Sequence, residues 1–309
     1  MNDAKIYNMD CIPGMAEHLA DESIDLFVSS IPFGALFMYS GKPQDIGNNQ
    51  DGVDMEAGQF GLHMRFFIEQ VYRVMKPGRN VCIHIQQLLR YVNQHGYMGR
   101  RDFRGAVVEM FSQGGLEWTG EVVIPKNPQA MAQRLSLHSL MFITGKTNST
   151  KLAPAVNDYV MIFQKPGDAV PPVKALRCSE LNPTGWVTSD EWIAWASGVW
   201  GDIRETDILD GWKAARGSDE EKHVCPLQLE VIRRCIKLYT NPGETVLDSF
   251  MGIGSTAYVA IEQGRNAVGF ELHDNYHVQA LRNVEKIKAK IADEKSTDLF
   301  AAMGVEGEV

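Results

Sequence analysis

The feature that most constrains the fold is a glycine turn between an apolar strand and a helix, in the stretch VLDSFMGIGSTAYVA, residues 246–260. Gly252 and Gly254, followed by the small Ala257, satisfy the spacing G-x-G-x-x-G/A of a nucleotide-binding turn. Such glycines let the backbone approach a ligand that lies on the amino terminus of the helix. Similar turns also occur in purely structural strand–turn–helix units. The neighbouring residues are therefore needed to distinguish a ligand-binding turn from a structural one.

The rest of the chain alternates short apolar runs with stretches of helical spacing, which predicts an α/β fold with a mainly parallel sheet. Predicted strands are IDLFVSS, NVCIHI, EWTGEVVI, NDYVMIFQK, ETVLDSF and NAVGFEL, and predicted helices include FFIEQVYRVM, a helix opened by Pro226, STAYVAIEQG and a final helix from Asp274. Residues 34–61 have no period and predict a long loop. Residues 169–221 are irregular and rich in tryptophan, which predicts an inserted segment, and the tail from Ser296 is expected to fray.

Charge is unevenly distributed along the 309 residues, whose net charge is −9. Residues 76–174 carry 12 Lys and Arg against 6 Asp and Glu. Arg100, Arg101 and Arg104 form the densest basic group, and Lys126 lies in the same segment. These four are candidates for contacts to nucleic-acid phosphates, although a solvated helix start is an equal alternative for the arginines.

Cysteine, histidine and hydropathy patterns exclude several other classes. The cysteines are odd in number, form no C-x-x-C pair and predict reduced thiols: Cys11, Cys82, Cys178, Cys225 and Cys235. His84, His138 and His223 lack the spacing of metal ligands, so no metal is expected and structural roles are favoured. No apolar run is long enough to span a membrane and the first residues lack a secretory pattern, which predicts a cytoplasmic protein.

Two acidic residues favour an adenosine-containing ligand at the glycine turn. Asp248 ends the strand just before the glycines, and Glu271 ends the next strand. A carboxylate in the position of Glu271 can accept both hydroxyls of a ribose. Asp248 would face a pyrophosphate badly but can bind an ammonium group, which favours S-adenosylmethionine over a dinucleotide.

The end of the strand IDLFVSS carries a second candidate site, Ser30-Ile31-Pro32-Phe33. Methyl transfer to an exocyclic amino group of a nucleobase needs hydrogen-bond acceptors around a nitrogen whose lone pair is delocalised into the ring. The Ser30 hydroxyl and the Ile31 carbonyl suit that task, Pro32 fixes the turn, and Phe33 offers a ring on which a flipped base can stack. The alternative is an ordinary X-Pro turn with one buried aromatic residue.

Together the two stretches resemble the amino-methyltransferases of DNA, whose catalytic motif is [Asp/Asn/Ser]-Pro-Pro-[Tyr/Phe/Trp] and whose donor motif is Asp-x-Phe-x-Gly-x-Gly. The second is present as Asp248-Ser249-Phe250-Met251-Gly252-Ile253-Gly254, and the order of the two motifs is similar to the circularly ordered β group. The resemblance covers roughly residues 5–290. It departs from the family at Ile31, which replaces the first proline; because Ile31 precedes Pro32, it retains an extended bias.

This resemblance implies a Rossmann-like S-adenosylmethionine-dependent methyltransferase fold with an inserted target-recognition segment at residues 169–221. It implies a catalytic half at 1–168, a donor-binding half at 222–295 and a tail at 296–309. The donor-binding residues that it implies are Asp10, Cys11, His223, Cys225, Asp248, Phe250, Gly252, Gly254, Ser255, Thr256 and Glu271. The expected partners are double-stranded DNA and a second copy of the chain in a homodimer.

The target base is left open between two readings. Ser30 and Phe33 are associated in this family with cytosine-N4 enzymes. The sequences SSIPFGALFMYS and HVCPLQLEVI, however, look most like those of solitary, often prophage-borne adenine-N6 enzymes. Adenine is therefore the preferred target. Two rival functions remain at this point. One is a Rossmann oxidoreductase that uses the same glycine turn, and the other is a catalytically silent DNA-binding regulator that lost its chemistry through Ile31.

Overall fold

The computed structural model describes residues 2–33, 44–46, 59–90, 96–135, 137–215 and 226–302. Its strands are β1 Ala4–Tyr7, β2 Ile24–Ser30, β3 Met75–Gln86, β4 Leu88–Arg90, β5 Gly99–Arg101, β6 Glu117–Ile124, β7 Asp158–Gln164, β8 Thr245–Asp248 and β9 Asn266–Phe270. Its helices are α1 Cys11–His18, α2 Gln59–Val74, α3 Phe103–Gln113, α4 Pro128–Arg134, α5 Phe142–Thr147, α6 Ser189–Trp195, α7 Trp212–Ala215, α8 Leu229–Tyr239, α9 Ser255–Glu262 and α10 Asp274–Ala302. Short 3-10 turns cover His138–Leu140 and Ser149–Lys151.

Seven strands form one sheet in the order β1-β9-β8-β2-β3-β7-β6. Neighbours from β1 to β3 are parallel, whereas β7 runs antiparallel to both β3 and β6. The strands β8 and β9, which are late in the sequence, therefore lie between β1 and β2. This arrangement confirms the predicted α/β fold with a mainly parallel sheet.

The sheet is covered on both faces, which explains why Leu26, Phe27 and Val28 of its central strand form an uninterrupted apolar run. Leu26 and Val28 of β2 pack into one core with α8 and α9, and Phe27 packs into the other core with α2 and α3. Every residue of β2 is buried except Ser30, which emerges half-buried at the carboxyl end. The serine therefore reaches the edge of the sheet where parallel strands end.

Several element boundaries differ from the sequence prediction. The helix expected to open at Pro226 begins at Leu229, because the extended backbone of Gln228 caps it and Pro226 lies outside. Strand β3 begins at Met75, so it includes the Lys-Pro-Gly stretch between the predicted helix FFIEQVYRVM and the predicted strand NVCIHI. The last helix continues to Ala302, past the predicted start of the tail. Most of the loop predicted over residues 34–61 lies outside the described residues, and α2 begins at Gln59.

The tryptophan-rich segment is irregular, as expected, with only the short helices α6 and α7 within its described part. Trp195 and Trp200 are buried in the same core as α8, and Trp186 and Trp212 pack against that core. Trp192 remains 42% exposed. These four packed tryptophans attach the segment to the sheet. In the part of the chain that the structure describes, no helix is long and apolar enough to cross a membrane.

Candidate active site

A cavity of about 680 Å³ opens at the carboxyl ends of β2, β3, β8 and β9 and brings both candidate motifs together. Twelve predicted site residues line it: Asp10, Cys11, Ser30, Pro32, Phe33, Lys126, Asp248, Phe250, Gly252, Ser255, Thr256 and Glu271. Ile31 and Gly254 lie beside it without lining it, and His223 and Cys225 lie outside the described residues. The volume is typical of a site for a cofactor-sized ligand.

The glycine turn has the backbone conformation that the sequence predicts. Gly252 and Gly254 have φ angles of 55° and 88°, a region that residues with a Cβ rarely adopt. A Cβ on Gly254 would also lie 3.0 Å from Ala280 of α10. The turn leads directly into α9, whose first residues Ser255 and Thr256 border the cavity.

Asp248 is buried at the end of β8 and accepts three hydrogen bonds from the protein. Its Oδ1 accepts from the Ser29 hydroxyl at 2.6 Å and from the Phe250 amide at 3.0 Å, and its Oδ2 accepts from the Thr256 hydroxyl at 2.6 Å. Burial raises the pKa of Asp248 although these hydrogen bonds oppose the rise. A carboxylate offers about four acceptor positions, so Asp248 retains one for a ligand, on Oδ2.

Glu271 follows β9 and faces the cavity from the other side of the turn. Its Oε2 accepts from the Gly252 amide and its Oε1 from the His273 amide, both at 2.7 Å. Burial raises the pKa of Glu271 to about 7, despite the lowering effect of the two amides. Each oxygen retains one acceptor position, which fits a pair of vicinal hydroxyls.

Asp10 and Cys11 complete this half of the cavity at the start of α1. Asp10 caps the helix by accepting a hydrogen bond from the Ile12 amide at 2.8 Å, and burial raises its pKa. Cys11 is buried, and burial raises the pKa of its thiol well above the ordinary value. The thiol is therefore an apolar wall of the cavity and not a nucleophile.

The Ser-Ile-Pro-Phe stretch extends β2 into the opposite half of the cavity. Ile31 is only 1% exposed and packs in the core beneath the cavity. Phe33 is half-buried, with its ring centroid 6.1 Å from Phe103 and 6.2 Å from His84. The core thus fixes the side chain of Ile31, while one flank of Phe33 borders open space.

A group of polar residues beside Ser30 was missed by the sequence analysis. The Ser30 hydroxyl lies 3.0 Å from Nδ1 of His84, and Nε2 of His84 lies 3.2 Å from Oδ2 of Asp158. Lys126 contacts the same Oδ2 at 2.6 Å, and Gln86 donates to Oδ1 at 2.8 Å. Strand register explains the grouping, because Ser30 pairs with His84 and Gln86 pairs with Asp158.

Electrostatics within this group favour an ionised aspartate. Burial by itself would raise the pKa of Asp158, but His84 and Lys126 outweigh it and hold that pKa below the ordinary value. Nε2 of His84 is buried and makes no well-aligned hydrogen bond to a described residue, so its contact with Asp158 is electrostatic. No single-sequence signal points to this cluster, since its members come from β2, β3, β7 and the residue after Pro125.

The four predicted DNA contacts lie in different surroundings. Lys126 is at the cavity wall with a side chain only 10% exposed, and it pairs with Asp158. Arg104 donates to Glu121 at 2.5 Å and stacks over Trp118. Arg100 donates to the carbonyl oxygens of Pro154 and Ala155. Arg101 is half-buried in β5.

Comparison with known proteins identifies the family to which the chain belongs. A model of the DNA methylase family matches residues 24–282, which include β2, the cavity and the glycine turn. The chain belongs to this family. Membership confirms the predicted enzyme class, a DNA methyltransferase that uses S-adenosylmethionine, and excludes the oxidoreductase that the glycine turn alone left open.

Individual DNA methylases and solved structures agree with this assignment. The Type II methyltransferase M.MjaI of Methanocaldococcus jannaschii is 25% identical over 276 residues, with 83% of each chain covered. A DNA modification methylase of Thermus thermophilus, solved in complex with S-adenosyl-L-methionine, superposes with a TM-score of 0.64 at 17% identity and covers 92% of this chain and 94% of its own. The cytosine-N4-specific PvuII DNA methyltransferase superposes with a TM-score of 0.59 at 15% identity and covers 94% and 91%. The two structures show that the DNA methylase fold predicted for this chain is the one it adopts.

Among the described residues, no group of three or more histidine, cysteine, aspartate or glutamate side chains converges in a way that would hold a metal ion. His84, one of the histidines considered at first, contacts Ser30 and Asp158 instead.

Proposed function

We propose that this DNA methylase transfers a methyl group to the exocyclic amino group of a base flipped out of duplex DNA, with adenine N6 as the preferred target. One observation carries the proposal. Ser30 and Phe33 border the same cavity as Asp248, Gly252 and Glu271. An acceptor half and a donor half therefore share one enclosed space, as direct transfer between two ligands requires.

The donor half fits S-adenosylmethionine by its remaining hydrogen-bond capacity. The free acceptor position on Asp248 suits the donor's ammonium group, and the free positions on Glu271 suit its ribose hydroxyls. Asp10 and Cys11 border the space assigned to adenine, with Phe250 and the first turn of α9 alongside. When bound, the donor supplies a methyl group activated on a sulfonium. His223 and Cys225 remain assigned to its methionine end by resemblance.

The acceptor half supplies orientation and hydrogen-bond acceptors. The Ser30 hydroxyl and the Ile31 carbonyl accept hydrogen bonds from the target amino group, which favours a tetrahedral nitrogen aimed at the methyl carbon. Pro32 restricts the turn, and the ring of Phe33 stacks on the flipped base. Stacking offsets part of the few kcal/mol that base flipping needs.

A second candidate target, cytosine N4, rests on two residues. Ser30 and Phe33 occupy the first and fourth positions of the catalytic motif. Ser and Phe at these positions are associated in this family with cytosine-N4 enzymes, whereas adenine-N6 enzymes more often carry Asp and Tyr. The adenine assignment rests on the surrounding sequence, which resembles solitary prophage-type adenine enzymes. The resemblance to the family supports β-group motif order, a homodimer and target recognition by residues 169–221, between the catalytic half at 1–168 and the donor half at 222–295. The proposed cytoplasmic location rests on the hydropathy pattern and the first residues of the sequence.

The test is direct analysis of the modified base. Purified protein is incubated with S-adenosylmethionine and unmethylated genomic DNA, and the digested nucleosides are quantified by mass spectrometry. N6-methyladenine supports the main assignment, and N4-methylcytosine supports the second. Donor and duplex binding without a methylated base, persisting in Ile31→Pro, would establish the silent regulator instead.

A further inference from the structure

The connection between β6 and β7, residues 125–157, borders the cavity, and its described residues form a folded unit. Met131, Leu137 and Val156 form a small core of their own, separate from the two cores of the sheet. Arg100 attaches the hairpin strand β5 to it through the carbonyl oxygens of Pro154 and Ala155. Its beginning and the start of β7 line the cavity, so the unit lies next to the space assigned to the flipped base.

This connection has a composition unlike the rest of the chain. Residues 122–157 contain no Asp or Glu, although the whole protein has a net charge of −9. Lys146 and Lys151 are exposed and make no salt bridge with a described residue. A stretch of this kind attracts a polyanion where most of the surface repels one.

The same unit exposes large apolar side chains. Phe142 is 75% exposed, Ile143 is 61% exposed and Leu152 is 48% exposed. Phe142 and Lys146 are four residues apart in α5 and therefore share a face of that helix. Apolar side chains beside cations are the combination that proteins use to contact base steps and phosphates of distorted DNA.

We propose that residues 125–157 form a DNA-docking element, in which Lys146 and Lys151 contact phosphates and Phe142 and Ile143 contact the duplex beside the flipped base. This inference rests on the proposed DNA substrate and adds a surface that the sequence analysis did not assign. It places the duplex against the β6–β7 connection in addition to the segment 169–221.

The experiment measures affinity for a short random-sequence duplex by fluorescence anisotropy at several salt concentrations, in the presence of S-adenosylhomocysteine. The double variant Lys146→Gln/Lys151→Gln should reduce the slope of log K against log salt by about 1.8, because each phosphate contact contributes about 0.9. The matched control Lys286→Gln/Lys295→Gln, two exposed lysines of α10 that make no salt bridge with a described residue, should keep the wild-type slope. Phe142→Ser/Ile143→Ser should weaken binding at every salt concentration without changing the slope.

Equal slopes for the two lysine pairs would overturn the docking element. So would a change of oligomeric state in Phe142→Ser/Ile143→Ser with unchanged DNA affinity, since the apolar surface would then pack against a second copy. If the wild-type protein methylates DNA and all variants bind DNA with the wild-type affinity and salt dependence, only the proposal of the docking element is refuted. If the wild-type protein neither binds nor methylates duplex DNA, the proposed function fails together with it.

An independent observation, the contact chain from Ser30 through His84 to Asp158, leads to a second inference. A carboxylate next to Nε2 favours the tautomer that carries its hydrogen there. Nδ1 is then the acceptor for the Ser30 hydroxyl at 3.0 Å. A hydroxyl that donates to a base is a better acceptor for the target amino group.

We infer that His84 takes up the proton released by methyl transfer. As the amino nitrogen bonds to the methyl carbon, the carbon–sulfur bond breaks and its electron pair goes to sulfur. The amino proton passes to the Ser30 oxygen while the hydroxyl proton passes to Nδ1 of His84. The imidazolium that results lies beside Asp158, and the charged groups next to it are Asp158 on β7 and Lys126 after β6.

The decisive variant is His84→Asn, because an asparagine oxygen can replace Nδ1 as acceptor without taking up a proton. The single-turnover rate should fall by about 10²-fold, with donor affinity unchanged. Combined with Ser30→Ala, the two losses of rate should be far from additive, because both substitutions interrupt the same path for the proton. A wild-type single-turnover rate in His84→Asn would overturn the inference.

Discussion

In the proposed function, Glu271 accepts the ribose hydroxyls of the methyl donor, and we therefore expect donor affinity to depend on pH in the neutral range. Its pKa is raised to about 7 by burial, and only the ionised carboxylate can accept hydrogen bonds from both ribose hydroxyls while accepting those of Gly252 and His273. With this pKa, the ionised fraction is about 0.9 at pH 8 and about 0.1 at pH 6. We therefore expect the dissociation constant for S-adenosylmethionine to rise about tenfold on acidification, equivalent to about 1.4 kcal/mol.

Isothermal titration calorimetry tests this expectation with two buffers that differ in heat of ionisation. Binding at pH 6 should release nearly one proton, because the cationic donor favours the carboxylate, and binding at pH 8 should release almost none from this group. The donor's own amino group titrates at about 7.7–8.0 and affects wild type and variant alike. Glu271→Gln is the control, because its side-chain amide cannot titrate. Its affinity for S-adenosylmethionine should be lower than that of the wild type and should change less with pH.

Two results would refute this reasoning. One is a wild-type dissociation constant that changes less than about twofold between pH 6 and 8. The other is the same acid weakening in Glu271→Gln, which would assign the titration to another group, such as Asp10 or Asp248. Burial raises the pKa of both of these aspartates as well.

Three further expectations concern the two halves of the cavity. Phe33→Ala should leave donor affinity unchanged in calorimetry and lower the rate per bound DNA by about 5- to 150-fold, the equivalent of about 1–3 kcal/mol of base stacking; intact turnover would remove Phe33 from the site. Asp248→Ala should abolish donor binding in the same assay, since it removes the ammonium acceptor and leaves the hydroxyls of Ser29 and Thr256 without their partner. Normal donor affinity would show that Asp248 does not bind the ammonium group. Ile31→Pro should lower the free energy of unfolding in urea by about 1–2 kcal/mol, because it removes volume from a side chain that is 1% exposed; an unchanged midpoint would show that the core relaxes around it.

The geometry of the glycine turn was predictable because its determinants are local in sequence. A strand, a turn that needs left-handed backbone and a helix follow one another within residues 245–262, and only glycine adopts φ angles of 55° and 88° without strain at Gly252 and Gly254. The position of Glu271 after the next strand was predicted by the same reasoning. The position of Ser30 at the end of β2 was predictable because the apolar residues give way to Ser29 and Ser30 just before Pro32.

Element boundaries were less predictable where neighbours outside the segment decide them. Lys76 pairs with Asp25 at 2.6 Å and buried Arg79 pairs with Glu244 at 2.6 Å. These long-range contacts draw the Lys-Pro-Gly stretch into β3, which local turn preference opposes. Pro226 illustrates the same limit, since a proline fits the first turn of a helix but equally fits the residues that precede it.

By itself, the sequence determined the class of chain: an α/β protein with a strand-end Ser-Ile-Pro-Phe and a glycine turn for an adenosine-containing donor. Local backbone preferences and apolar periodicity are sufficient for that. Tertiary structure alone decided that both motifs share one cavity and that His84, Asp158 and Lys126 gather behind Ser30. It also decided that the β6–β7 connection, which contains no Asp or Glu, borders this cavity. These outcomes depend on strand order and register, which are set by packing between segments far apart in the chain.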